Sequence, residues 1–141
     1  MTEEFASLTV RDLPGVFAAR RLGRELAAGL ALERQDQVRV ATALSEVCRS
    51  TISTGQSAEI IFGADAADLV LTVTVDREPA DEGIAAASRL MDTLRADGAV
   101  IWMMKRRPMN STLDLRAVRG RVRCGRKLRG HLHGIVHRES D

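Results

Sequence analysis

Two long stretches in the first half of the chain repeat apolar residues every three or four positions. The first runs over residues 16–30 and the second over residues 36–53, and such spacing places the apolar side chains on one side of an α-helix. Asp12 followed by Pro14 is a helix-start signal, and Gly55 supplies a stop. We therefore predict two amphipathic helices in succession.

One glycine interrupts the apolar stripe of the first helix. Gly23 lies between Leu22 and Leu26, where a glycine costs about 1 kcal/mol of helix propensity relative to alanine. A missing side chain at this point permits close approach of another segment. We expect a neighbouring element to pack tightly against Gly23.

Short stretches typical of β-strands flank these helices. In the clearest one, residues 69–75, leucine and valine alternate with valine and threonine, as a half-buried sheet requires. The spacing from Ile84 to Leu94 predicts a short helix, and Asp97-Gly98 predicts a turn. Further strands are predicted at residues 6–10, 58–62 and 99–104. The order of these elements predicts a two-layer α/β sandwich.

The charge of the chain changes sign along its length. Residues 1–104 carry 10 Lys/Arg and 16 Asp/Glu, whereas residues 105–141 carry 11 Lys/Arg and 3 Asp/Glu. Beyond Pro108 the apolar periodicity ends, and little apolar surface remains to offset the entropy of ordering. We therefore predict one domain over residues 1–108, with 45% apolar residues in the whole chain, and a disordered basic tail over residues 109–141.

Several classes of protein are disfavoured by composition. The sequence has no run of about 18 apolar residues for a membrane span and no secretory signal. Cys48 and Cys124 are distant in sequence and form no C-x-x-C pair, so we expect reduced thiols in a soluble, cytoplasmic protein. Aromatic residues are scarce, which disfavours stacking on single-stranded nucleic acid.

A carboxylate and a hydroxyl share one side of the second helix. Glu46 and Ser50 are four residues apart and project together, away from the main apolar stripe. They could face a cavity, or they could form an ordinary solvated helix surface, because polar pairs at this spacing are common. Residue spacing alone leaves both interpretations open.

Residues 16–107 resemble the ATPase domain of anti-sigma-factor serine kinases, within the histidine-kinase/Hsp90-like superfamily. The resemblance is carried by ARRLGRELA at residues 19–27, by DQVRVATALSE at residues 36–46, and by SRLMD at residues 88–92, which is similar to the helix after the ATP lid. It implies a mixed sheet with helices on one face. It also implies ATP and magnesium as ligands.

The resemblance assigns roles to four residues of this chain. Glu46 matches the catalytic glutamate, and Ser50 stands where the family has a magnesium-binding asparagine. Asp76 matches the aspartate that recognises adenine, although Glu78-Pro79-Ala80 follows it in place of the family's glycines. Gly83 belongs to what remains of the lid. Without the glycine-rich loop no backbone N–H groups cradle the phosphates, so we expect ATP binding to be weak or lost.

The function that the resemblance implies is regulation by protein binding. The partner would be a sigma factor or its antagonist, and a homodimer is a further option. The alternative is an active ATP-dependent serine kinase or ATPase that uses Glu46 and Ser50. A third interpretation makes the basic tail an electrostatic clamp for nucleic acid, but the absence of a known binding motif favours a solvated tail.

Three smaller groups of residues complete the sequence-based predictions. Cys124 with the three histidines of the tail could supply four zinc ligands, but their spacing matches no common structural zinc site. Trp102 is expected to pack in the core or at a sheet edge. The run at residues 105–107 is expected to end its strand in solvent. The three histidines are His131, His133 and His137.

Overall fold

A computed structural model of the protein describes residues 2–108. The basic tail over residues 109–141 and its four candidate zinc ligands lie outside the described residues. The helices and strands, in chain order, are β1 Glu3–Val10, α1 Leu13–Gly29, α2 Arg34–Ser53, β2 Ala58–Ala64, β3 Asp68–Val75, α3 Asp81–Ser88, β4 Thr93–Asp97 and β5 Val100–Arg106.

The strands form one five-stranded sheet in the order β1-β2-β3-β5-β4. Every pair of neighbouring strands is antiparallel, so the expectation of a mixed sheet is wrong for the described residues. The reason lies in the connections. β2 and β3, and likewise β4 and β5, are joined by short turns that reverse the chain, and the α1–α2 pair brings the chain back antiparallel to β1.

Alternation along the strands creates one fully buried sheet face. Successive side chains of a strand point to opposite faces, and in β3 the odd-numbered residues from Leu69 to Val75 are buried while the even-numbered ones are partly or fully exposed. The buried face packs with α1 and α2 in a single core. Its largest members include Leu8, Leu22, Leu26, Leu44, Ile60, Phe62, Leu71, Ile101 and Met103. The two-layer α/β architecture is therefore confirmed.

Both long helices begin and end close to their predicted bounds. The Asp12 carboxylate accepts a hydrogen bond from the Gly15 N–H at 3.0 Å, a cap that contributes about 1 kcal/mol. Gly55 follows α2 with φ of 78°, the left-handed conformation that glycine adopts without strain. A Cβ placed on Gly23 would lie 2.6 Å from Leu44 Cδ1, which confirms the tight packing expected there.

The predicted helix over residues 84–94 is only partly present. α3 starts earlier and ends at Ser88, so the SRLMD segment is not a helix in this chain. Leu94 instead belongs to β4, where it is paired with Met103. Pairing with β5 decides the conformation here, because the spacing of Met91 and Leu94 also fits a turn followed by a strand. The Asp97-Gly98 turn is confirmed, with a φ of 59° at Gly98.

In the part of the chain that the structure describes, no helix combines the length and the apolar character that crossing a membrane requires.

Candidate functional site

The polar side of α2 brings three of the four predicted site residues together. Glu46, Ser50 and Gly83 line one open pocket of about 400 Å³, together with Arg49, Ser53 and Glu82. α2 buries its apolar side against the sheet and α1, which leaves Glu46 exposed and Ser50 half-buried. The pocket therefore lies between α2 and the first turn of α3.

The Ser50 hydroxyl is turned toward its own helix. It donates a hydrogen bond to the Glu46 backbone carbonyl at 3.0 Å, a common arrangement for serine within helices. The buried Gly83 of α3 lies so close that a Cβ placed there would overlap Ser50 Oγ. Not even a methyl group fits between Ser50 and Gly83, so α3 packs directly against α2 at this point.

Asp76, just after β3, holds the start of β2 through hydrogen bonds to Ser57. Its carboxylate accepts hydrogen bonds from the Ser57 backbone N–H at 2.9 Å and from the Ser57 hydroxyl at 3.0 Å. These two bonds lower the pKa of Asp76, the backbone one contributing most, because both stabilise the charged form. Asp76 is not among the residues that line the Glu46 pocket. The structure therefore joins three of the predicted site residues and leaves Asp76 apart.

The charge of the pocket is unsuited to a nucleotide triphosphate. Two carboxylates, Glu46 and Glu82, line it against the single guanidinium of Arg49. Phosphoryl transfer relies on positive groups and backbone N–H donors around the phosphates, and this pocket offers one cation. Among residues 2–108, no group of three or more His, Cys, Asp or Glu side chains is arranged to hold a metal ion.

Next to this pocket, α1 exposes two large apolar side chains. Leu13 is 48% exposed and Phe17 is 53% exposed, and as residues four apart on a helix they are neighbours on its surface. The Arg49 guanidinium lies 5.9 Å from the centre of the Phe17 ring, a cation–π distance. The sequence analysis did not identify these residues. The signal was the position of Phe17, a large apolar residue outside the apolar stripe of α1. The three residues are called the α1 patch below.

A second polar feature was not expected from the sequence. A cleft of about 520 Å³ opens between the start of α2 and the end of β5. We call it the charged cleft, because four cations and three carboxylates line it. Its lining residues are Leu32, Glu33, Asp36, Arg39, Asp92, Lys105, Arg106, Arg107 and Pro108.

The expectation that residues 105–107 end their strand in solvent is wrong for two of the three. Lys105 and Arg107 are each only 6% exposed. Alternation from Ile101 and Met103 places Lys105 on the core side, where its ammonium lies 3.3 Å from Asp92, 3.6 Å from Asp36 and 3.1 Å from a backbone carbonyl. That alternation was the signal that could have identified Lys105 from the sequence.

Asp92 ties β5 to the segment after α3. Burial acts to raise the pKa of Asp92, but the Arg106 backbone N–H and the Lys105 ammonium together outweigh it, so the pKa lies below its ordinary value. The N–H of Arg106 donates to Asp92 at 2.7 Å. Asp92 is therefore held in the charged form by its partners.

Comparison with known proteins gives no match for this chain: no family model fits the sequence, and no curated protein matches it.

Proposed function

We propose that this chain is a regulatory protein of the anti-sigma-factor serine kinase type, which acts by binding a protein partner rather than by transferring a phosphoryl group. The partner would be a sigma factor or an antagonist of one, in line with the resemblance of residues 16–107. The observation that carries the proposal is the packing of α3 on α2. Gly83 packs directly against the Ser50 hydroxyl, which stands where the family has its magnesium-binding asparagine.

The surroundings of the other site residues support the same proposal. Asp76 is engaged by Ser57 and would have to give up two hydrogen bonds to receive adenine. Glu46 keeps its place on the exposed side of α2. Since the carboxylate remains while the phosphate-binding groups do not, loss of nucleotide turnover is the simpler interpretation.

The α1 patch is the surface that fits protein binding best. Energetically important positions at protein interfaces are enriched in aromatic residues and arginine, and the patch combines Phe17 and Arg49 with Leu13. Exposed large apolar side chains that lie together, rather than singly, are typical of interaction surfaces. Below the patch, α1 continues with the exposed residues Arg20, Arg21 and Arg24, which favours a partner surface that is apolar and acidic.

Protein binding can be tested with purified partners. Sigma factors and anti-sigma antagonists encoded in the same genome would be titrated into the full chain by calorimetry. We expect one of them to bind, and we expect Phe17→Ala to weaken that binding by about tenfold or more, since a buried aromatic anchor contributes roughly 2 kcal/mol or more. Val38→Ala is a matched control, because Val38 on α2 is 44% exposed and lies outside the patch. Failure of every candidate to bind would overturn the proposal.

The alternative function is a weak ATP-dependent serine kinase or ATPase. The observation in its favour is that Glu46 and Ser50 do line one pocket. Calorimetry of ATP with and without magnesium, on the full chain and on Glu46→Ala, separates the two functions. Magnesium-dependent binding that the substitution alters would support the kinase. No heat from a cooperatively folded chain would leave protein binding as the proposal.

A further inference from the structure

Arg107 is a buried cation that has no ion-pair partner among residues 2–108. Its side chain is 6% exposed, and its Nη1 donates to the Asp65 backbone carbonyl at 2.7 Å. Its Nε is buried and has no hydrogen-bond acceptor. Within the described residues, no carboxylate lies within ion-pair distance of Arg107. Burying a charge without an ion-pair partner is unfavourable, so an anion bound here would stabilise the guanidinium.

The other cations of the charged cleft are already compensated. Arg39 is paired with Asp36 at 2.9 Å, and Lys105 lies near both Asp36 and Asp92. Arg106 is close enough to Asp92 to lower its pKa. These contacts engage two of the three carboxylates of the cleft, Asp36 and Asp92. Arg107 is therefore the place in the cleft where an added negative charge would be stabilised most.

The first turn of α2 borders the same cleft through Asp36. Glu33, the residue before the helix, makes no side-chain capping bond, and it lines the cleft together with Asp36. The first N–H groups of a helix have no partner within the helix, and the helix dipole places partial positive charge there. Backbone N–H groups at a helix start and an arginine are recurring ligands of phosphate groups.

We propose that the charged cleft binds a phosphate monoester, with its oxygens shared between Arg107 and the N–H groups at the start of α2. The cleft volume of about 520 Å³ lies within the roughly 300–1,000 Å³ of small-molecule sites. Its three carboxylates disfavour a polyphosphate, because each additional phosphate would face negative charge. The site therefore takes a single phosphate head, and it is separate from the Glu46 pocket and from the proposed protein binding.

The Arg107 Nε–H proton offers a direct test on the full chain. In ¹⁵N-labelled protein at constant ionic strength, phosphate and phenyl phosphate would be titrated while the arginine Nε–H signals are followed. The Arg107 signal would be assigned through its proximity to the Asp65–Ala67 turn. We expect it to shift and saturate with both ligands, and to saturate at a lower concentration of phenyl phosphate. Absence of a saturable shift would overturn the proposal.

Variants and competing ligands make the test specific. Arg107→Lys keeps a charge but loses Nε, and should weaken phosphate binding by tenfold or more. The matched control Arg95→Lys, on exposed strand β4, should leave it unchanged. If benzoate binds as tightly as phenyl phosphate, the site has no preference for phosphate and the proposal is wrong. If a phosphoserine peptide binds more tightly than phenyl phosphate, the proposal is supported and the natural ligand is a phosphorylated protein. If Arg107→Lys does not fold, the wild-type signal and the benzoate comparison still decide the outcome.

Discussion

Gly83 of α3 lies directly against the Ser50 hydroxyl of α2, with less space between them than a methyl group requires. A Cβ at position 83 would also come within 3.1 Å of the Glu46 carbonyl oxygen. These contacts fix the distance between the two helices. Gly83 therefore sets how closely α3 packs on α2 at this pocket.

Gly83→Ala should therefore lower the free energy of unfolding. We expect a loss of about 1–3 kcal/mol, the usual range for overpacking, although alanine is the better helix former. Urea denaturation would measure it. Ser50→Ala in the same chain should recover part of the loss by removing the hydroxyl oxygen, whereas the remaining Cβ stays within 3.1 Å. An unchanged or raised stability in Gly83→Ala alone would show that α3 is not seated on α2 in this way.

The pairing of Asp92 with Lys105 predicts a dependence of stability on pH. Because the pKa of Asp92 is lowered in the folded state, its contribution is present above its ordinary pKa and is lost as the pH falls through the lower, folded value. Because the Asp92 side chain is 40% exposed, solvent screens its ion pair, and Asp92→Asn should cost only about 1 kcal/mol or less at pH 7. The cost should be smaller at pH 2, which lies below the ordinary pKa of an aspartate. Denaturation at both pH values would check this. Asp97→Asn, which removes an exposed carboxylate at the end of β4, is the control.

Cys48 should be unreactive in the folded protein. Burial raises the pKa of its thiol to about 12, and only the thiolate is a good nucleophile. In a Cys124→Ser chain, a thiol reagent at pH 8 should react slowly with the native protein and at once in concentrated urea. Rapid reaction without urea would mean that α2 opens far more readily than its fully buried side chains indicate.

Arg95 stacks against the chain's single tryptophan. The Arg95 guanidinium lies 5.5 Å from the Trp102 ring on the neighbouring strand, in a cation–π contact of about 0.5–1 kcal/mol. Arg95→Ala should shift the Trp102 fluorescence emission to longer wavelength, because it uncovers the ring, and should lower stability by that amount. Arg89→Ala, which removes an exposed arginine after α3, is the control. Identical spectra for the two variants would contradict the contact.

The sequence was a good guide wherever local periodicity and turn chemistry agree. Asp12, Gly55 and the alternation of β3 have their predicted roles, because each acts through neighbours within a few residues. The helix expected over residues 84–94 failed for the opposite reason. Leu94 satisfies a helical spacing, but its pairing with Met103 in the β4–β5 hairpin decides its conformation, and no local pattern reports that pairing.

The candidate site was predictable only in part. Glu46 and Ser50 lie together because four residues make one helical turn, but the closeness of Gly83 depends on how α3 packs, which spacing does not reveal. Asp76 was assigned through the resemblance, and its bonds to Ser57 depend on the β2–β3 register. Arg107 was expected in solvent, because a basic side chain after a strand gives no sign that the β2–β3 turn will cover it.

The position of β1 has a consequence for the order in which the chain folds during synthesis. β1 pairs with β2 in a register from Glu3↔Ala64 to Val10↔Ala58, so β1 cannot pair until both long helices that separate the two strands have been made. Non-local pairing of this kind is slow, and an unpaired strand in the meantime invites association with other chains. Glu3 and Glu4 place two negative charges at the start of β1, and charged side chains on an unpaired strand disfavour such association.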